Sequence, residues 1–182
     1  IRRVKHDSMT FKTQAIEAGA VSFTHLFNAM KPIEHHNPSI IVKALQSENY
    51  IETILDGKHL NPNIVSMIYK IKGEKMIAIT DSISPTGLPN GKYKFAGEII
   101  TLKDGDARMP NGTRAGSVLN IFDGLKNLSK FINKKEEDCL VHFTEAPTKM
   151  LGTFSKFGSV EEGKIADFIV VKNGKLINTF IS

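Results

Sequence analysis

The sequence predicts an α/β protein built on half of a (β/α)8, TIM-type barrel, with part of a second, small β-sheet domain after it. Three observations lead there. Short apolar runs alternate with amphipathic helical stretches, the pattern of parallel strands joined by helical crossovers. His6, His25, Asp56 and Asp81 each directly follow a β run, the first four in the chain. The length, 182 residues, is short of the ~250 that a complete barrel takes.

In chain order, residues 1–5 read as a β run and 10–18 as an amphipathic helix with Thr10 as N-cap and Gly19 as its stop. Strand 20–24 follows, then a loop rich in Pro, His and Asn over 31–38 and a helix over 39–47. Strand 50–55 leads to a helix over 62–72 that opens on Pro62 and closes at Gly73, and strand 75–80 completes the series. Successive parallel strands put their C-terminal ends on one face, where the catalytic residues of such barrels gather.

After Asp81 the chain makes a Gly/Pro-rich excursion, with strand-like pieces at 93–95 and 98–102 and a turn signal at Asn111-Gly112. Such an excursion is placed to cover the strand ends or to stand as an ornamental hairpin. Apolar residues at Val118, Leu119, Phe122, Leu125, Leu128 and Phe131 predict a helix over 117–132. Gly116-Ser117 would then offer free N–H groups to an anion. Short helices are expected at 136–143 and 146–152. The tail is a hairpin turning at Asn173-Gly174, too tight a link for parallel strands, so it belongs to a separate small sheet. Domain boundaries of 1–155 and 156–182 follow.

A composition of 41% hydrophobic and 24% charged residues is that of a globular domain. No apolar run approaches the ~20 residues of a membrane span, and the first ten residues hold no signal-peptide core. The single Cys139 excludes an internal disulfide framework and fits a cytoplasmic location. The net charge of +5 is spread over scattered lysines with no aromatic-interleaved basic stripe, so nucleic acid is not an expected partner.

Imidazole is the commonest ligand for borderline divalent metals. His6 and His25, at the ends of neighbouring strands, are the pair placed to share one ion. His142 falls in a helix away from that face and reads as a packed or solvated residue. A catalytic zinc-type site takes three protein ligands and one open position; two are visible here.

The segments Thr24-His25-Leu26-Phe27-Asn28-Ala29-Met30, Asp56-Gly57-Lys58-His59, Thr80-Asp81-Ser82, Ala115-Gly116-Ser117 and Gly163-Lys164-Ile165-Ala166-Asp167 occur in this order. In them the chain resembles the N-acetylglucosamine-6-phosphate deacetylase family of the amidohydrolase superfamily. The resemblance implies the C-terminal half of a TIM-type barrel plus part of a small β-sandwich domain. It implies hydrolysis of N-acetylglucosamine 6-phosphate to glucosamine 6-phosphate and acetate, in amino-sugar catabolism, with a divalent metal ion, zinc or iron. His6 and His25 are cast as metal ligands and Asp81 as the carboxylate that handles protons. Asn28, Ala29, Asp56, Gly57, Lys58, His59, Arg114, Ala115 and Gly116 are cast as substrate contacts, and His36, Arg114 and the amides around Gly116 as partners of the phosphate. Two positions depart from the family's pattern: His36 stands where a phosphate-binding arginine is common, and Arg114 where an aliphatic residue is. The family completes its metal site with a glutamate from an earlier strand, so these 182 residues alone are expected to be inactive. Family members are commonly homodimers. The rival readings are an amidohydrolase acting on cyclic amides and a non-catalytic half-barrel fragment.

Overall fold

The computed structural model describes residues 14–172 and 174–182. The expected first β run and His6 lie outside them. Residues 14–17 are helical, and the turn closes where Gly19, at φ +89°, donates its N–H to the Ile16 carbonyl.

Three parallel strands form the central sheet in chain order: β1 (Ser22–Phe23), β2 (Tyr50–Ile54) and β3 (Met76–Ile79). Between them run α1 (Ile40–Gln46) and α2 (Pro62–Lys72), the two crossovers that parallel pairing requires. Ser39 caps α1 by accepting from the Ile41 N–H, and Asn61 caps α2 by accepting from the Asn63 N–H with Pro62 in the first turn. Lys72 at the end of α2 is buried, and its Nζ donates to the Ala44 and Ser47 carbonyls at the end of α1. The two helices are thereby latched by groups that each helix end leaves unsatisfied.

After β3 a four-stranded antiparallel sheet forms from β4 (Gly91–Phe95), β5 (Glu98–Lys103), β6 (Asp106–Arg108) and β7 (Arg114–Gly116). It has its own small core of Ile100, Leu102 and Ala107. The chain then returns to the parallel sheet: Ser82 and Ser117 form a parallel bridge. The expected helix over 117–132 therefore begins later, as α3 (Ile121–Ile132), capped by Asn120 accepting from the Asp123 N–H. The Ser117 backbone is spent pairing with residues 81 and 83, which the apolar spacing alone does not reveal.

Short helices α4 (Glu136–Cys139) and α5 (Glu145–Met150) follow. Between them His142 is buried, with Nδ1 2.9 Å from the Met76 carbonyl, so of the packed and solvated alternatives the packed one holds. The main core joins Leu26, Ile41, Ile51, Leu55, Val65, Ile68, Met76 and Leu128, from one face of the sheet and from α1, α2 and α3. The tail hairpin pairs β8 (Phe168–Lys172) with β9 (Lys175–Phe180), and every described position in both strands is exposed. Among the described residues the parallel strands make an open sheet and do not close into a barrel.

Candidate active site

His25 follows β1, His59 stands in the turn after β2 and Asp81 follows β3; all three line one open cleft of about 450 Å³. That volume is in the range of small-molecule sites, ~300–1,000 Å³. The β6–β7 hairpin supplies the opposite wall through Arg108 and the stretch 112–116.

Backbone strain is concentrated where the strands end. His25, Phe27, Ala29 and Asp81 have φ of +37°, +73°, +53° and +49°. Left-handed backbone in non-glycine residues costs of order 1 kcal/mol each and persists only where the surroundings fix it. The loop after β1 is fixed at both ends. Leu26 donates its N–H to the Glu52 carbonyl at 2.8 Å, and the Asn28 side chain donates to the His25 and Leu26 carbonyls at 3.3 and 3.2 Å.

The turn after β2 is organised by Asp56. One carboxylate oxygen accepts from the Lys58 and His59 amides, both at 2.8 Å, and the other lies 2.6 Å from His59 Nδ1. Burial pushes the Asp56 carboxyl up, but the hydrogen bonds from the His59 ring and from the His59 and Lys58 amides outweigh it, so the group lies below its ordinary value. An ionised carboxylate only accepts, so His59 donates through Nδ1, and in the neutral ring Nε2 is an acceptor.

Asp81 is stapled to the chain entering α3. Its carbonyl accepts from the Ser117 N–H at 2.9 Å, and the Ile83 N–H donates to the Ser117 carbonyl at 3.0 Å. The Ser117 hydroxyl bonds the Thr80 carbonyl and the Ser82 hydroxyl bonds the Leu119 carbonyl. Gly116 makes this approach possible: at φ +140°, a Cβ on it would meet Ile83 Cγ2 at 2.6 Å and the Asp81 carbonyl at 3.1 Å. The expectation of free amides at Gly116-Ser117 is corrected here, since the Ser117 N–H is already bonded and the helix starts four residues on, at Ile121.

On the far wall Asp106 ties two arginines. Arg108 reaches one carboxylate oxygen through Nε at 3.0 Å and Nη2 at 2.8 Å, and Arg114 reaches the other through Nε at 2.9 Å. Burial pushes the Asp106 carboxyl up, and the hydrogen bonds and charge of Arg114 and Arg108 bring it below its ordinary value.

The cleft thus gathers His25, Asn28, Ala29, His59, Asp81, Arg114, Ala115 and Gly116 from the expected set. Asp56, Gly57 and Lys58 do not line it: Asp56 holds His59, Gly57 sits against the Phe131 ring, and Lys58 Nζ bonds the Asp104 carbonyl. His36 is exposed, its ring 3.9 Å from that of His35, and is not part of the wall. Arg108 and Thr113 line the cleft without having been singled out in the sequence. Reading Asn111-Gly112 as a hairpin turn places Arg108 and Arg114 on its two arms, the only signal for Arg108.

The donor chemistry suits a divalent ion: the His25 imidazole faces the cleft, the nitrogen donor that zinc-type centres use. Among the described residues no cluster of three His, Cys, Asp or Glu side chains forms. No helix among them is long and apolar enough to cross a membrane.

Comparison with known proteins finds amide-hydrolysing relatives of the chain. The N-acetylglucosamine-6-phosphate deacetylase of Bacillus subtilis is 37% identical over 163 residues, covering 88% of this chain and 41% of the relative. The N-acetylgalactosamine-6-phosphate deacetylase of a Shewanella species is 31% identical, covering 86% of this chain and 40% of the relative. The crystal structure of N-acetylglucosamine-6-phosphate deacetylase from Pasteurella multocida superposes with a TM-score of 0.89 at 30% identity, covering 94% of this chain and 46% of that one. The chain spans less than half the length of each of these three proteins. The sequence profile described as "Amidohydrolase family" matches residues 4–182. Because the match takes in the strand-end His and Asp residues together with the loops that carry them into one cleft, the chain belongs to the amidohydrolase family.

Proposed function

We propose that the protein carrying this chain is a metal-dependent amide hydrolase that removes acetate from N-acetylglucosamine 6-phosphate. The observation that carries this reading is the convergence of His25, His59 and Asp81, from the ends of three neighbouring parallel strands, on one cleft. The deacetylase relatives supply the substrate class.

In the proposed reaction a water attacks the amide carbonyl, the new C–O bond forms, the C–N bond breaks, and the proton lost by water ends on the amine. His25, with His6 outside the described residues, would hold a divalent ion, zinc or iron, which when bound would supply the Lewis acidity that lowers the pKa of water from 15.7 to about 7. Asp81 takes the proton from the attacking water and delivers it to the leaving nitrogen, a general base and then a general acid. Its exposed carboxylate sits on a backbone held by Ser117, so the proton carrier is positioned rather than tethered loosely. His59, with Nδ1–H given to Asp56, offers Nε2 as an acceptor, which suits a sugar hydroxyl; donation to a developing oxyanion would need the protonated ring. Ala115 and Gly116 close the cleft beside Asp81.

We further propose that residues 1–155 form the C-terminal half of a TIM-type barrel and 156–182 part of a small β-sandwich. The open parallel sheet, extended by the Ser82–Ser117 bridge, supports the first. The exposed, apolar β8–β9 hairpin, with Phe168 stacked on Phe180 at 4.6 Å, supports the second.

The test is acetate release by the full-length protein. We expect turnover of N-acetylglucosamine 6-phosphate that is lost on chelation and restored by metal. Turnover of the galacto epimer alone would move the substrate assignment, and hydrolysis of cyclic amides alone would overturn the reading.

A further inference from the structure

His59 stands beyond Ile54, where the pairing of β2 with β3 ends, so that ladder does not reach it. Its ring still needs a definite place, because a misplacement of about 1 Å at a reacting site can cost ~100-fold. Asp56 holds the ring within the turn, and the turn itself is gripped from outside by α3. Asn127 donates its side-chain amide to the Leu55 carbonyl at 2.8 Å, and Phe131 lies against Gly57, where a Cβ would meet its Cζ at 3.3 Å. Residues four apart share a helix face, so both grips come from one side of α3. We infer that Asn127 and Phe131 are positioning residues that set where the His59 ring stands in the cleft, an inference that rests on the deacetylase reading above.

The grips fall on consecutive links of the chain that leads to His59. Leu55 is fully buried, so its carbonyl is cut off from water and costs free energy unless it is paired. Asn127 supplies the donor from a place beside Leu128, which is buried in the main core. Asp56, the next residue, then holds the Lys58 and His59 amides and the His59 ring. At φ +69° Gly57 presents bare backbone to the Phe131 ring, and Phe131 itself packs on the main core. Gly57 and Lys58 are exposed, so the packed helix lends its rigidity to a turn that has little packing of its own. Neither Asn127 nor Phe131 lines the cleft, so both act on a substrate only through the residues of this turn.

The test is a double-variant cycle on acetate release by the full-length protein, with Asn127→Leu, His59→Ala and the two combined. Asn127→Leu keeps the branched shape of the side chain and removes the donor. We expect kcat/KM for N-acetylglucosamine 6-phosphate to fall about tenfold or more in Asn127→Leu. The same change made in His59→Ala, where no ring is left to place, should cost less than about twofold. An equal fall in both backgrounds marks a purely structural brace and overturns the inference, as does no fall at all. Should Asn127→Leu fail to fold, Phe131→Leu decides through the same cycle. If the wild type releases no acetate, the reaction assignment fails by itself; if only His59→Ala is silent, the cycle lacks a baseline. In both cases NMR of the histidine ring nitrogens decides. Signals of His59 that move in Asn127→Leu while those of His142 stay support the inference; His59 signals that stay, or that move together with those of His142, overturn it.

Discussion

The Asp81 carbonyl accepts a hydrogen bond from the Ser117 amide at 2.9 Å, so the residue just after β3 is held by the segment that leads into α3. Residues 82–116, the whole antiparallel sheet included, form a loop closed at that point. The acid of the proposed reaction is therefore placed by chain far from it in sequence.

Gly116→Ala tests the closure. A Cβ would meet Ile83 Cγ2 at 2.6 Å at a φ of +140° that L residues rarely adopt. We expect a loss of about 1–3 kcal/mol in chemical denaturation, since the strain has no flexible partner to absorb it. Turnover should fall further than stability predicts, because Asp81 moves with the clash.

Asp81→Asn keeps the size of the side chain and removes its basicity. Turnover should drop by ~100-fold or more while bound metal, measured by elemental analysis, stays near the wild-type level. Unchanged turnover would remove Asp81 from the proton path.

Asp56 and His59 should behave as one unit. Asp56→Asn removes an ionised acceptor, so the His59 ring loses its fixed tautomer and orientation. The double variant Asp56→Asn/His59→Gln should be less impaired than the sum of the singles, with a coupling of roughly 0.5–3 kcal/mol in kcat/KM. The sign for pH is set by the lowered carboxyl. The stability that Asp56 contributes is fully present above its unfolded value of 3.8 and is lost as pH falls through its still lower folded value. The turn should therefore hold in mild acid.

His142 acts in a higher pH window. Burial lowers its pKa from 6.5, against smaller upward contributions from the Met76 carbonyl and Glu74. With Nδ1–H on the Met76 carbonyl, Nε2 is buried without a hydrogen-bond partner among the described residues, so a second proton finds nothing to bond. The unfolded chain binds that proton first, and stability is lost as pH falls from about 6.5 toward the folded value. His142→Asn, which does not titrate, should flatten the pH dependence of the melting temperature across this window.

The sequence is most legible where local chemistry decides the outcome. Helix α2 runs from Pro62 to Lys72 as expected because Asn61, Pro62 and Gly73 mark both ends. His25 and Asp81 are readable because each ends a β run, and position after a parallel strand selects the face. The start of α3 is not where the apolar pattern puts it because Val118 and Leu119 continue the period although the Ser117 backbone before them is paired with residues 81 and 83; the better signal is Asn120, spaced to accept from the Asp123 amide. Arg108 is hidden for a related reason. Its place on the cleft depends on strand pairing across the turn at 109–113, a nonlocal fact that composition does not carry.

The cleft draws its walls from four separated stretches: the loop after β1, the turn after β2, the end of β3 and the β6–β7 hairpin. A small molecule that touches all four acts as a reversible cross-link between them. Because only the folded chain assembles that contact, each tenfold rise in ligand above its dissociation constant adds about 1.4 kcal/mol to the stability of the whole unit. Thermal melting in the presence of sugar phosphates is thus a direct reading of occupancy, open to inactive variants as readily as to active ones.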